Sequence, residues 1–174
     1  HAYSEKLAEE RGCFPNWPGS IWDTRLHRKM RNATTTTVAP TGTISIIANC
    51  SSGIEPLFAL SYFRHILDGQ TLIEINPCFE AVAREEGFYS PELMKKLAGG
   101  GSLHDIKEVP AWVKEVFVTS HEISPEWHVK IQSVFQKYTD SAVSKTVNLP
   151  FEATIEDVQK VYMTAYKVGL KGIT

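Results

Sequence analysis

Residues 37–53 read TVAPTGTISIIANCSSG. The run from Thr34 to Val38 is β-branched throughout, which predicts a strand. It lacks polar/apolar alternation, as a strand covered on both faces does. Ala39-Pro40-Thr41-Gly42-Thr43 interrupts it, and an apolar run from Ile44 to Ala48 follows at once. Residues 43–49 are expected to form a short helix. The order strand, tight turn, helix suits an anion. The first backbone N–H groups of a helix have no partner within it, and the helix dipole adds partial positive charge at that end. Gly42 has no Cβ to hold an oxygen away from the main chain. Thr41, Thr43 and Ser45 add hydroxyls, and Pro40 fixes the turn. The pattern is neither a Walker loop nor a GxGxxG fingerprint. A plain Thr-capped helix after a strand would read the same way.

Working outward, Phe58–Leu67 and Gln70–Ile75 read as two strands, and Asp68-Gly69 between them signals a hairpin. Asn76–Glu86 is expected to be a helix with Pro77 in its first turn. Ser90-Pro91-Glu92 opens another, to Leu97. Residues 104–118 are expected to hold one or two short helical pieces. Ser124-Pro125-Glu126 repeats the start signal for a helix to Tyr138, with Trp127, Ile131, Val134, Phe135 and Tyr138 as its apolar face. Val143–Leu149 alternates as a strand, stopped by Pro150. Thr154, with Asp157 three residues on, caps a last helix. Its stripe is Val158, Val161, Tyr162, Ala165, Tyr166 and Leu170, and Gly169 or Gly172 stops it. Residues 2–11 read as a helix, Cys13–Gly19 as a loop, and Ser20–Met30 as short helix or irregular. Strand–helix units with one hairpin make an α/β chain with an antiparallel insertion.

The totals are ordinary. The chain has 174 residues, 43% hydrophobic and 22% charged, enough for one domain with a core. A net charge of −2 and no dense Lys/Arg cluster argue against direct nucleic-acid binding. No apolar run approaches the ~20 residues that cross a bilayer, and the charged start HAYSEKLAEERG is no secretory signal. Cys13, Cys50 and Cys78 are scattered and odd in number, so a reducing, cytoplasmic setting is expected, with neither a disulfide framework nor a zinc site. The start at His1 and the strand-like ending at Ile173-Thr174 suggest a piece of a larger protein.

RNATTTTVAPTGTISIIANCSSGIEPLFAL (31–60) closely resembles a segment of the adenosylcobalamin-dependent (class II) ribonucleotide reductases. The resemblance continues through YFRHILDGQ (62–70), REEGFYSPEL (84–93), DSAVSKTVNLP (140–150) and AYKVGLKGIT (165–174), with FPNWPGSIWD in support. It implies that residues 1–174 are the C-terminal portion of a ten-stranded α/β barrel, incomplete here, whose finger loop and radical cysteine lie outside this chain. It implies a substrate-phosphate cradle at Pro40, Thr41, Gly42, Thr43, Ile44 and Ser45. The implied enzyme, of ribonucleoside-diphosphate reductase type, replaces a ribonucleotide 2′-OH with hydrogen, and adenosylcobalamin supplies the radical. The partners implied are a ribonucleotide and the N-terminal part of the barrel, or a subunit carrying it. This chain alone is expected to be inactive, and to self-associate through open strand edges.

Other residues invite chemistry. Asn76-Pro77-Cys78-Phe79-Glu80 has the N-x-C-x-E shape of the family's finger loop, but it follows the APTG segment where the finger loop precedes it. A helix cap is the expectation. Cys50 sits in a polar loop that could touch cobalamin or substrate, and a structural turn is the plainer reading. Glu55 could line the cleft. His121, Glu122 and His128 lack the HExxH pattern, and the histidines are expected to face solvent. Tyr162 and Tyr166 are expected to be part of an apolar stripe. Arg64 and Lys145 could meet a phosphate or lie on a solvated face. A stand-alone nucleotide- or phosphate-binding module, or a structural relic, are the competing readings.

Overall fold

The computed structural model describes residues 1–65 and 69–174. In chain order it runs α1 (Ala2–Arg11), α2 (Ile21–Thr24), α3 (Gly42–Ala48), β1 (Ser61–His65), β2 (Thr71–Ile75), α4 (Pro77–Glu85), α5 (Pro91–Ala98), α6 (Ala111–Val116), α7 (Pro125–Gln136) and α8 (Ile155–Lys167). Single 3-10 turns stand at Leu103–Asp105 and Ser120–Glu122. The helix starts follow their local chemistry. Asn76 Oδ1 accepts from the Phe79 N–H at 3.0 Å, and Ser90 Oγ from the Leu93 N–H at 3.1 Å. Thr154 and Asp157 form a reciprocal capping box at the start of α8.

Strands β1 and β2 pair antiparallel, Ser61 opposite Ile75 and His65 opposite Thr71. Of the expected hairpin turn, Asp68 lies outside the described residues, as do Ile66 and Leu67 at the end of the first expected strand. That strand begins at Ser61, three residues later than the sequence suggested. Beside the hairpin, α4, α5 and α6 close on a core of Leu60, Phe79, Ala83, Met94, Leu97 and Val113. Phe79 and Val113 are wholly buried, and each such side chain contributes about 1.5–3 kcal/mol.

A second, smaller core joins Val129 of α7, Val147, and Val161 and Ala165 of α8. It backs three extended segments. Val38 forms a single parallel bridge with Val143, flanked by bonds from the Ser141 N–H to the Thr36 carbonyl and from the Ser144 N–H to the Val38 carbonyl. On the other side, the Thr174 N–H donates to the Lys145 carbonyl and the Val147 N–H to the Thr174 carbonyl, a parallel pairing. The expected strands at 34–38 and 143–149 are thus reduced to isolated pairings. Thr34 to Thr37 are exposed, so the expectation of cover on both faces is corrected: polar threonines without a packed layer made that run β-branched but not buried.

Helix α7 turns the opposite way from its apolar periodicity. Trp127, Ile131, Val134, Phe135 and, just beyond the helix, Tyr138 are exposed, while His128, Val129 and Gln132 are buried. The reason is the main chain that α7 covers. Gln132 Nε2 donates to the carbonyls of Val143 and Gly172, both at 2.8 Å, and Gln136 Nε2 to those of Thr139 and Ser141. Buried and half-buried carbonyls of sparsely paired segments need donors, and Gln132 and Gln136, four residues apart, supply them. On α8, only Val161 and Ala165 of the expected stripe are buried; Val158, Tyr162 and Tyr166 are exposed.

Candidate functional site

The turn is built from its backbone. Thr41 takes the left-handed conformation, φ 52° and ψ 25°, and α3 begins at Gly42. A β-branched residue there costs on the order of 1–2 kcal/mol, so surrounding contacts must hold it. One is visible: the Gly53 N–H donates to Thr41 Oγ1 at 3.1 Å. Gly53 itself has φ +53°, and a Cβ on it would lie 3.3 Å from the Ala39 carbonyl oxygen. The loop after α3 therefore folds back onto the turn, and its positive φ and the close Ala39 carbonyl favour glycine at that point.

Among the described residues, the amides of Gly42, Thr43 and Ile44 donate to no other group; the Ser45 N–H is the first to close a helical bond, to the Thr41 carbonyl at 2.9 Å. A Cβ built on Gly42 meets nothing within 4 Å. The hydroxyls differ in what they have left to give. Thr41 Oγ1 only accepts from Gly53, so its proton is free for a ligand. Ser45 is buried and donates to the Gly42 carbonyl at 2.8 Å, so it keeps only acceptor capacity.

A cavity of about 480 Å³ lies against this turn. Pro40, Gly42 and Ser45 line it; Thr41, Thr43 and Ile44 of the expected cradle do not, and Ile44 points its apolar side chain to the surface. Ser144, Thr146 and Asn148 also line the cavity, none of which stood out in the sequence. Their signal is the period of two in Val143–Leu149. Val143, Lys145 and Val147 are buried on the α7/α8 side, and the alternate residues face the cavity. Cys50 also lines it and is a free, exposed thiol. Glu55, as anticipated, is in the wall, and no lysine or arginine is among the lining residues.

Glu55 is not free. Its Oε1 accepts from the Thr146 N–H at 2.6 Å and its Oε2 pairs with Lys145 Nζ at 2.8 Å. Lys145, for which a phosphate contact or a solvated face was expected, is not on a solvated face. Its side chain is fully buried, and Nζ also bonds His128 Nδ1 at 2.7 Å and the Thr146 carbonyl. His128 is likewise buried, not solvent-facing. Its Nε2 lies 3.0 Å from the Ser120 carbonyl, which can only accept, so Nε2 carries the proton and Nδ1 receives Lys145. Burial, reinforced by Lys145, holds the His128 imidazole below its ordinary value of 6.5. His121 is exposed as expected, and Arg64 pairs with Glu74 on the hairpin. Cys78 is an exposed thiol on α4, behind the Asn76 cap. Among the described residues there is no group of three His, Cys, Asp or Glu that could hold a metal ion, and no helix long and apolar enough to cross a membrane.

The chain is similar to known proteins over its full length. Residues 23–174 match the family described as ribonucleotide reductase, barrel domain. The whole chain is 56% identical over 174 residues to the vitamin B12-dependent ribonucleoside-diphosphate reductase of Thermoplasma acidophilum, and covers 22% of it. It is 47% identical over 176 residues to the protein of the same name from Mycobacterium tuberculosis, again over its full length and 25% of that relative. It therefore spans about a quarter of such relatives. The Actinobacillus ureae class Id ribonucleotide reductase alpha subunit superimposes with a TM-score of 0.73 at 27% identity, over 99% of this chain and 30% of that one. The chain belongs to the ribonucleotide reductase barrel-domain family.

Proposed function

We propose that this chain is the substrate-phosphate portion of an adenosylcobalamin-dependent ribonucleotide reductase, which makes deoxyribonucleotides for DNA replication in the cytoplasm. The observation that carries the reading is the turn: three unpaired amides at Gly42, Thr43 and Ile44, with open space above Gly42 at the edge of a polar cavity. Amides at a helix start bind phosphate oxygens without a lysine. The 56% identical relative is named a ribonucleoside-diphosphate reductase, which favours a diphosphate. In this reading the Gly42, Thr43 and Ile44 amides and the Thr41 hydroxyl hold the phosphate at the edge of the cavity that Gly42, Ser144, Thr146 and Asn148 line.

Cobalamin supplies radical chemistry when bound. The amides and small hydroxyls at the turn suit a phosphate and not a corrin ring. Exposed Ile44, Ile46 and Ile47 on α3 and the open apolar face of α7 support assembly with that remainder over a stand-alone binding module.

Calorimetric titration with CDP tests the reading, on this chain alone and on the full-length enzyme. Gly42→Val places carbon where phosphate oxygens would sit, in space the fold leaves empty. It is expected to weaken CDP binding by about tenfold or more with helix content unchanged. Wild-type affinity in that variant removes the turn from the site.

A further inference from the structure

The wall of the anion cavity contains a carboxylate and no cation. Glu55 would repel the phosphate that the turn is built to hold, unless its charge is met from behind. Lys145 meets it, 2.8 Å away and out of reach of the cavity, with its remaining N–H groups fixed on His128 Nδ1 and the Thr146 carbonyl. A continuous set of bonds then leads to the turn. Lys145 holds Glu55; Glu55 holds its own loop to the Thr146 N–H; the same loop carries Gly53, whose N–H holds Thr41 Oγ1. Thr41 is the strained residue from which the amides fan out.

We propose that Lys145 is the positioning residue of the phosphate turn, acting through Glu55 to neutralise the cavity wall and to fix the loop that holds Thr41. This rests on the phosphate reading above. Lys145 touches no substrate; it sets the shape and the charge of the surface that does. Two consequences separate it from a lysine that merely stabilises the fold. Removing its charge weakens substrate binding more than turnover. Removing the Glu55 charge as well then restores part of that binding, because the repulsion disappears.

The test is steady-state reduction of CDP by the full-length enzyme carrying Lys145→Met, Glu55→Gln/Lys145→Met or Gly42→Val. The Lys145→Met variant is expected to raise KM about tenfold with kcat within about threefold. The double variant is expected to recover part of that rise, since the glutamine amide oxygen still accepts from the Thr146 N–H and leaves no unpaired charge. A folded Lys145→Met enzyme with wild-type KM overturns the proposal, as does a double variant no better than the single. If Lys145→Met does not fold, the neutral but still hydrogen-bonding Lys145→Gln takes its place: a KM raised several-fold supports the role, and a wild-type KM ends it. Gly42→Val keeps the two readings apart. If it leaves KM unchanged, the phosphate site itself is wrong. If it raises KM while Lys145→Met does not, only the positioning role falls.

Discussion

The two cores of this chain are built on different principles. Around Phe79, helices α4–α6 and the hairpin bury apolar side chains against one another, and the caps that start α4 and α5 are made within three residues of chain. Around Lys145, the buried residues include an ion pair, an imidazole and an amide, and their partners lie up to 90 positions away. The first core is held by area removed from water. The second is held by directional bonds that fix where the turn and its loop stand. A binding surface needs the second kind of order, because a phosphate cradle displaced by an ångström loses its geometry.

The largest expected difference is in truncation. Phe79→Ala, in the fully buried apolar core, is expected to cost about 3–5 kcal/mol. Phe135→Ala, on the open face of α7, is expected to stay within about 0.5 kcal/mol in the monomeric chain. Urea denaturation of both variants checks this. A large loss for Phe135→Ala would mean that the α7 face is covered in solution, as it would be if copies of the chain self-associate, and light scattering on the same samples would show it.

A second contrast sets polar against apolar burial. Gln132→Leu keeps the volume of a buried α7 residue but strands the carbonyls of Val143 and Gly172. The Val143 carbonyl is the buried one, and an unmet buried acceptor costs about 1–3 kcal/mol, so a loss of that size is expected from the same denaturation experiment. A neutral or stabilising result would show that water or backbone shifts satisfy those carbonyls, and that the second core is as apolar in its energetics as the first.

The same division explains what could be read in advance. Asn76-Pro77, Ser90-Pro91 and Thr154/Asp157 are local signals, and the structure follows them. The orientation of α7 was not legible from periodicity. Counting apolar residues points to Trp127, Ile131 and Phe135, whereas the buried stripe is chosen by carbonyls that only the fold brings near. The helix after the turn was legible, but neither the loss of the strand before it nor the strain of the turn was: Val38 keeps a single bridge, and Thr41, not Gly42, takes positive φ. Lys145 was within reach. Alternation through Val143, Lys145 and Val147 puts it on the apolar side, where a lysine requires a partner, and Glu55 is the partner that distance in sequence conceals.

The smallest expected difference between the two cores is in the pH dependence of stability, since it involves one group. Among the described residues, none of those buried around Phe79 is ionisable, whereas His128 is buried with Lys145, Glu55 and His121 as its charged or titratable neighbours. In the unfolded chain His128 titrates near 6.5; in the fold, burial holds it lower. Between the two values the unfolded state binds a proton that the folded state refuses, so stability falls as pH falls. The contribution of neutral His128 is fully present above about 6.5 and is lost on descending toward the folded value. The bond geometry gives the same sign: an imidazolium would present Lys145 with an N–H where it now finds an acceptor. Urea midpoints at pH 7.5 and 5.5 are expected to show the loss in the wild type, and a smaller one in His128→Asn, whose amide does not titrate. Hydrogen-exchange protection read in the same pH range should weaken first in α7 and leave α4 unchanged. Equal slopes in the two proteins would assign the pH dependence to the exposed carboxylates and histidines instead, and would leave the Lys145 network intact across this range.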